Sequence, residues 1–266
     1  MKISALISDV DGTLVTPAKI LTERSQQAVA ELHRRGIGFT IISARPPRAM
    51  TMFVEPLSIA MPIAGFNGGA FTGPDLTPIE NHLLAPETAQ RAHDLLRSKG
   101  IDVWVFSGLD WLLIDADNAH VVPEIRVVRF KPTLVRNLEP ALASAFKVVG
   151  VSEDHDLLAR CERELQAALG EQASVSRSQP FYLDVTHPLA NKGTAVARLA
   201  ALMGVPLAEV AVIGDNHNDV GMFAQGGLSI AMGNAVPDVQ AHAAVVTESN
   251  DREGFAEAIR KYILDA

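Results

Sequence analysis

Cysteine is nearly absent from this chain: Cys161 is the one thiol among 266 residues. That excludes an intramolecular disulfide framework and a cysteine-ligated zinc site. Cys161 itself lies in a helix-period stretch and reads as an inert core thiol. Basic residues are also short, with 23 Lys and Arg against 31 Asp and Glu, a formal net charge of −8. Duplex nucleic acid and anionic lipid both call for clustered Lys and Arg, and the chain offers none. The scatter from Arg126 to Arg136 reads as an ordinary solvated face. Long apolar runs are missing too: nothing approaches the roughly 18 residues of a membrane span, and the short run before Asp9 is no secretory signal. The expectation is a cytoplasmic protein with neither nucleic-acid nor membrane partners. There is no low-complexity tract or internal repeat, and nothing in the sequence sets an oligomeric state.

What is present is a globular composition, 48% hydrophobic and 20% charged. At roughly 150 residues per domain, the length suits one large domain or two modest ones. Short continuous apolar runs at 3–8, 37–43, 62–66, 209–214, 228–232 and 243–247 read as strands buried on both faces of a parallel sheet. Helix-period stretches at 23–35 and 192–203 fall between them. Strands alternating with helices predict an α/β fold with a doubly wound, Rossmann-like parallel-sheet core. The middle has another rhythm. Helices at 87–99 and 154–169 interrupt strand-like pieces at 101–106, 111–114, 125–128, 146–149, 173–177 and 181–185, which suggests an α+β module on an antiparallel sheet. The domains are therefore drawn as a discontinuous core, 1–82 and 186–266, with 83–185 inserted.

In an open parallel sheet, ligands bind beyond the carboxyl ends of the strands. There the sequence places Asp9-Val10-Asp11-Gly12-Thr13, Ser43-Ala44-Arg45, Asn67-Gly68-Gly69 and Gly214-Asp215-Asn216-His217-Asn218-Asp219. Two carboxylates 4 Å apart repel by about 4 kcal/mol at an effective dielectric of 20. Gathering Asp9, Asp11, Asp215 and Asp219 on one rim therefore requires raised pKa values or a cation. Hard oxygen donors without Cys or His favour Mg²⁺, which tends to share its shell with phosphate. Asp9 and Asp11, two apart at a strand end, emerge on one side, so that one can attack while the other handles protons. Gly12 allows the tight turn that follows, and the Thr13 hydroxyl can tie it back.

These residues resemble the haloacid dehalogenase-like hydrolase superfamily. Asp9 to Thr13, Ser43, Lys192 and the loop 214–219 match its four motifs, and the place and size of the insert resemble its Cof-type phosphatases. Phe66-Asn67-Gly68, Asn191-Lys192-Gly193, Met232-Gly233-Asn234-Ala235 and the tail Thr247…Asn250…Gly254 extend the likeness through both core halves. Ala44, where Gly is common, and Gly69, where Ala often stands, depart from the pattern but stay small.

The resemblance implies a Mg²⁺-dependent phosphatase acting on a small phosphorylated metabolite, of the sugar phosphate, pyridoxal phosphate or flavin mononucleotide class. Asp9 is the implied nucleophile that becomes an aspartyl-phosphate, and Asp11 the general acid and then base. Val10 is implied to line the phosphate site, where Ser43 and the Ala44 backbone hold phosphate oxygens, with Lys192 supplying positive charge and Asn218 reaching the phosphate. Asp9, the Asp11 carbonyl and Asp215 are the implied metal ligands, supported by Asp219. Arg45 is a candidate for touching substrate or for pinning a loop acid, and Asn67 for positioning. The insert is implied to be a cap that closes over the site and sets selectivity. Alternatives are a phosphomutase with the same chemistry, a phospho-acceptor signalling module, which Asp11 and the insert disfavour, and a binding-only member. His217 reads as a bystander, His187 as structural, and Trp104 and Trp111 as packing for a small sheet or as stacking partners for a ring-bearing substrate.

Overall fold

A computed structural model describes residues 2–265, which form two compact units, 2–79 with 191–265 and 80–190. The junctions lie a few residues from 82/83 and 185/186. In the first unit the chain lays down β1 (Ala5–Asp9), β2 (Gly38–Ile42), β3 (Ile63–Gly65) and β4 (Ala70–Thr72), and β5 (Pro78–Asn81) spans the junction. The inserted unit follows with β6 (Asp102–Ser107), β7 (Asp110–Leu113), β8 (Thr133–Leu134), β9 (Ala145–Val151), β10 (Ser174–Gln179) and β11 (Tyr182–Thr186). The chain then returns for β12 (Val210–Gly214), β13 (Leu228–Ala231) and β14 (Val245–Val246).

The first sheet runs β14-β13-β12-β1-β2-β3-β4-β5, parallel from β14 to β3 and antiparallel where β4 joins β3. Its central strands β1 and β12 are buried at every position because both faces are covered. Leu6, Ile41, Ile213 and Ile230 pack on one face with Val29 and Leu32 of the helix Glu23–Arg34 and with Phe255. Ile7, Ile42, Val212 and Ala231 pack on the other with Val196 and Leu199 of the helix Lys192–Met203. Alternate residues of one strand thus serve opposite layers. The register lines up the carboxyl ends: Asp9 pairs with Ile42, Ser8 with Ile213, and Ile42 with Ala64. Residues just past β1, β2, β3 and β12 therefore meet at one rim. This is the doubly wound α/β core expected from the pattern.

The inserted sheet runs β10-β11-β9-β6-β7-β8, antiparallel except between β7 and β8. Helices Pro86–Ser98 and His155–Leu169 cover one face through Ala92, Leu96, Leu158, Cys161 and Leu165. On the other, Trp104 and Trp111 meet edge to face at 4.9 Å between ring centroids, and both are buried. They serve as packing for this sheet. One expectation is corrected: 125–128, read as a strand, is the end of the helix Val121–Val128. Its run of β-branched residues suggested a strand, but Val121 and Val128, seven apart, are its buried residues, which is a helical period. Pro123 sits in the first turn, where a missing N–H costs nothing.

Candidate active site

Asp9 closes β1 with only 4% of its surface exposed. Its Oδ1 accepts a hydrogen bond from Lys192 Nζ at 2.6 Å, and the same ammonium donates to Asp219 Oδ1 at 2.5 Å. Lys192 opens the helix Lys192–Met203, with Asn191 as its N-cap accepting from the Thr194 N–H. Gly193 lets that helix start against another backbone, since a Cβ there would lie 2.9 Å from the Gly221 carbonyl oxygen. Burial works to lower the Lys192 pKa, but the charges of Asp219 and Asp9 outweigh it and raise it.

One ammonium cannot neutralise three acids. Asp9, Asp215 and Asp219 each offer an oxygen within 4.8 Å of the others. Burial raises the Asp9 pKa well above the ordinary range; the Lys192 charge opposes this, while the Asp219 and Asp215 charges add to it. Asp215 is pushed up to about 6, by burial first and then by the Asp219 charge. Asp219 is fully buried. Its Oδ2 accepts from the N–H groups of Asp215 and Asn216, so it fixes the loop that carries Asp215. Asp215 is steadied at Oδ1 by the Thr13 hydroxyl at 3.2 Å. Uncompensated negative charge on hard oxygens is the donor chemistry that suits Mg²⁺.

The Asp11 carboxylate lies apart from that trio. Arg45 grips it with Nε at 2.6 Å and Nη2 at 2.7 Å, and Lys19 Nζ adds a contact at 2.7 Å. Burial works to raise its pKa, but the bonds and charges of Arg45 and Lys19 win and hold it at about 2. Arg45 is itself buried and lies 5.7 Å from the Phe53 ring centroid. Of the two roles considered for Arg45, the structure shows the pinning of an acid.

Val10 is buried, and its carbonyl accepts from the Val15 N–H. Ser43 is buried past β2, where its Oγ accepts from the Arg45 N–H, with Ala44 half-buried beside it. Asn67 adopts a left-handed backbone at φ 57°, and its Oδ1 lies 3.5 Å from Nδ2 of the exposed Asn218. His217 is exposed. In the inserted unit His187 stacks on His82 at 5.5 Å, and burial followed by the His82 charge lowers its pKa.

Two contacts escaped the sequence reading. Lys19, whose backbone turns through φ 61°, reaches Asp11, and no motif announces it. Asn234 donates to both the Gly12 carbonyl and Asp215 Oδ2. It was visible as part of a motif, but without a role.

A family model described as haloacid dehalogenase-like hydrolase matches residues 6–259. A Haemophilus influenzae protein is 30% identical over 260 residues, covering 96% of this chain and 97% of its own. The HMP-PP phosphatase of Cronobacter sakazakii is 28% identical over 233 residues, 88% of this chain and 85% of its own. A crystal structure of a haloacid dehalogenase-like hydrolase from Bacteroides thetaiotaomicron superposes with a TM-score of 0.90 at 24% identity. It covers 98% of this chain and 99% of its own.

Proposed function

The chain belongs to the haloacid dehalogenase-like hydrolases and is a phosphoric monoester hydrolase, and from that premise we propose that it releases phosphate from small phosphorylated metabolites in the cytoplasm, in a Mg²⁺-dependent reaction through a phosphorylated Asp9. The observation that carries this reading is the single Lys192 ammonium set between Asp9 and Asp219, with Asp215 in the same cluster. Asp9 and Asp215 would hold the ion, with the Asp11 carbonyl beside them and Asp219 bracing the loop. When bound, Mg²⁺ supplies charge that offsets the repulsion between an anionic phosphate and a carboxylate nucleophile.

The rest falls to the chain's own residues. An Asp9 oxygen forms a bond to phosphorus as the bond to the substrate oxygen breaks. Lys192 lowers the electrostatic cost of bringing two anions together. Ser43, the Ala44 backbone and Asn218 hold the phosphoryl oxygens, since phosphoryl transfer is mostly positioning and charge stabilisation. Asn67 positions the group from the turn just past β3. The Asp11 carboxyl, held at about 2, is ionised near neutral pH, and with both oxygens bonded it can take a proton from the water that hydrolyses the aspartyl-phosphate only once Arg45 and Lys19 release it. To protonate the leaving oxygen in the first half of the reaction, it must leave Arg45 and Lys19 and take up a proton. The substrate class is a phosphomonoester of the sugar phosphate, pyridoxal phosphate or flavin mononucleotide type, and the inserted unit carries the choice.

The test is phosphate release by wild type and Asp9→Asn from those esters and p-nitrophenyl phosphate, with Mg²⁺ and with EDTA. Release that needs both Mg²⁺ and Asp9 supports the reading. Turnover that survives either loss removes it. Isomerised phosphorylated product without free phosphate would instead make the protein a mutase.

A further inference from the structure

Asn234 sits just beyond β13 on a loop packed backbone to backbone against the tail. The Gly233 N–H donates to the Glu248 carbonyl, and a Cβ on Gly233 would come within 2.8 Å of Glu248 main-chain carbon. From there its side chain makes three hydrogen bonds. Nδ2 donates to the Gly12 carbonyl at 3.0 Å and to Asp215 Oδ2 at 3.2 Å, while Oδ1 accepts from the Asn250 N–H at 3.0 Å. The buried Asn250 side chain continues the line, donating to the Val15 carbonyl at 2.8 Å.

The partners settle the chemistry required at position 234. Two acceptors face one end of the side chain and one donor faces the other. A carboxamide meets both demands at once, whereas Asp would face two acceptors with an acceptor, and an aliphatic side chain would meet none. Asn234 also completes the grip on Asp215, whose Oδ1 is held by Thr13 and whose Oδ2 is held by Asn234. With both oxygens tied, rotation of that carboxylate is blocked. The same amide holds the turn that follows Asp9, so two segments far apart in the chain share one fixed point.

We propose that Asn234, braced by Asn250, is a positioning residue that pre-sets the Asp215 carboxylate and the turn after Asp9 for a divalent cation. The proposal rests on the reading of Asp9 and Asp215 as cation ligands, and goes beyond it by giving a role to a residue that touches neither ion nor substrate. Groups that orient metal ligands in this way are typically worth about 10–100-fold in affinity.

The experiment is calorimetric titration of Mg²⁺ into the full chain without substrate, for wild type, Asn234→Ala and the similarly sized Asn234→Leu. Asn234 is exposed, so neither replacement opens a buried cavity; thermal melts in EDTA check that each variant is folded. The expected result is a Mg²⁺ dissociation constant raised about 10–100-fold, with the EDTA melting temperature little changed. Phosphate release should be recovered at saturating Mg²⁺. A folded variant that binds Mg²⁺ as tightly as wild type overturns the proposal while leaving the phosphatase reading intact. No Mg²⁺ binding by wild type overturns the cation reading and this proposal together.

Discussion

Arg45 holds Asp11 by both carboxylate oxygens, at 2.6 and 2.7 Å, from a buried position behind the loop that carries the acid. The carboxyl stands at about 2, below its ordinary 3.8. A carboxyl lowered on folding contributes stability that is present in full above 3.8 and lost as pH falls through about 2. Arg45→Met returns Asp11 toward its ordinary value and removes that contribution. With stability near pH 7 as the reference, the variant should therefore unfold at a higher pH than wild type on acid titration followed by circular dichroism. Coincident acid transitions would show that Arg45 does not hold Asp11 ionised.

Lys192→Met leaves Asp9 and Asp219 buried together without a cation. Removing one member of a buried ion pair costs about 3–5 kcal/mol, because the remaining charge is stranded. The unfolding free energy from urea titration should drop by that amount near neutral pH, and phosphate release should be lost. Adding Asp219→Asn to Lys192→Met should restore part of the stability and none of the activity. If the single variant unfolds like wild type, the ammonium is not what keeps those acids buried.

Gly12 has φ +86°, and a Cβ on it would fall 2.1 Å from Asp215 Oδ2. Gly12→Ala must therefore displace the carboxylate as well as bear the roughly 1–2 kcal/mol cost of a left-handed alanine. Phosphate release should fall at least about tenfold, with weaker Mg²⁺ activation. A variant with wild-type Mg²⁺ dependence would mean that Asp215 tolerates movement.

His187 has a pKa lowered below 6.5, by burial and then by the His82 charge. For a base lowered on folding, the unfolded chain binds more protons. Its contribution is thus complete above 6.5 and is lost as pH falls through the depressed folded value. Melting temperatures measured from about pH 7.5 down to about pH 5.5 should decline, and the slope should be shallower in His187→Gln. Equal slopes would assign the decline to other groups.

The core was legible because its strands are mostly apolar and end in chemistry-bearing residues, so that one rule about carboxyl ends brought Asp9, Ser43, Asn67 and Asp215 to a single rim. The short strands Ala70–Thr72 and Pro78–Asn81, the last two at one side of the sheet, were not legible, since three or four residues carry too little pattern. The helix Val121–Val128 was misread over 125–128 because propensity spoke for a strand and the seven-residue spacing of its buried valines was overlooked. In the site, residue types showed which acids gather but not how they divide. The two-residue spacing of Asp9 and Asp11 suggested a shared side, yet Asp11 turns to Arg45 and Lys19 while Asp9 joins Asp215 and Asp219. That division depends on a left-handed turn at Lys19 and on the depth of Arg45, both set by tertiary packing.

The sheet order has a consequence for the order in which the chain is made. β1 lies between β2 and β12, and the whole inserted unit separates those two neighbours in the sequence. A chain emerging from the ribosome can pair β1 with β2 early, but the other edge of β1 stays open until β12 appears. Through that interval Asp9 also lacks Lys192. The newborn amino-terminal half is therefore an apolar strand with an exposed edge and an uncompensated acid, a species that invites association with other chains. A fragment ending at residue 190 should aggregate where the full chain does not.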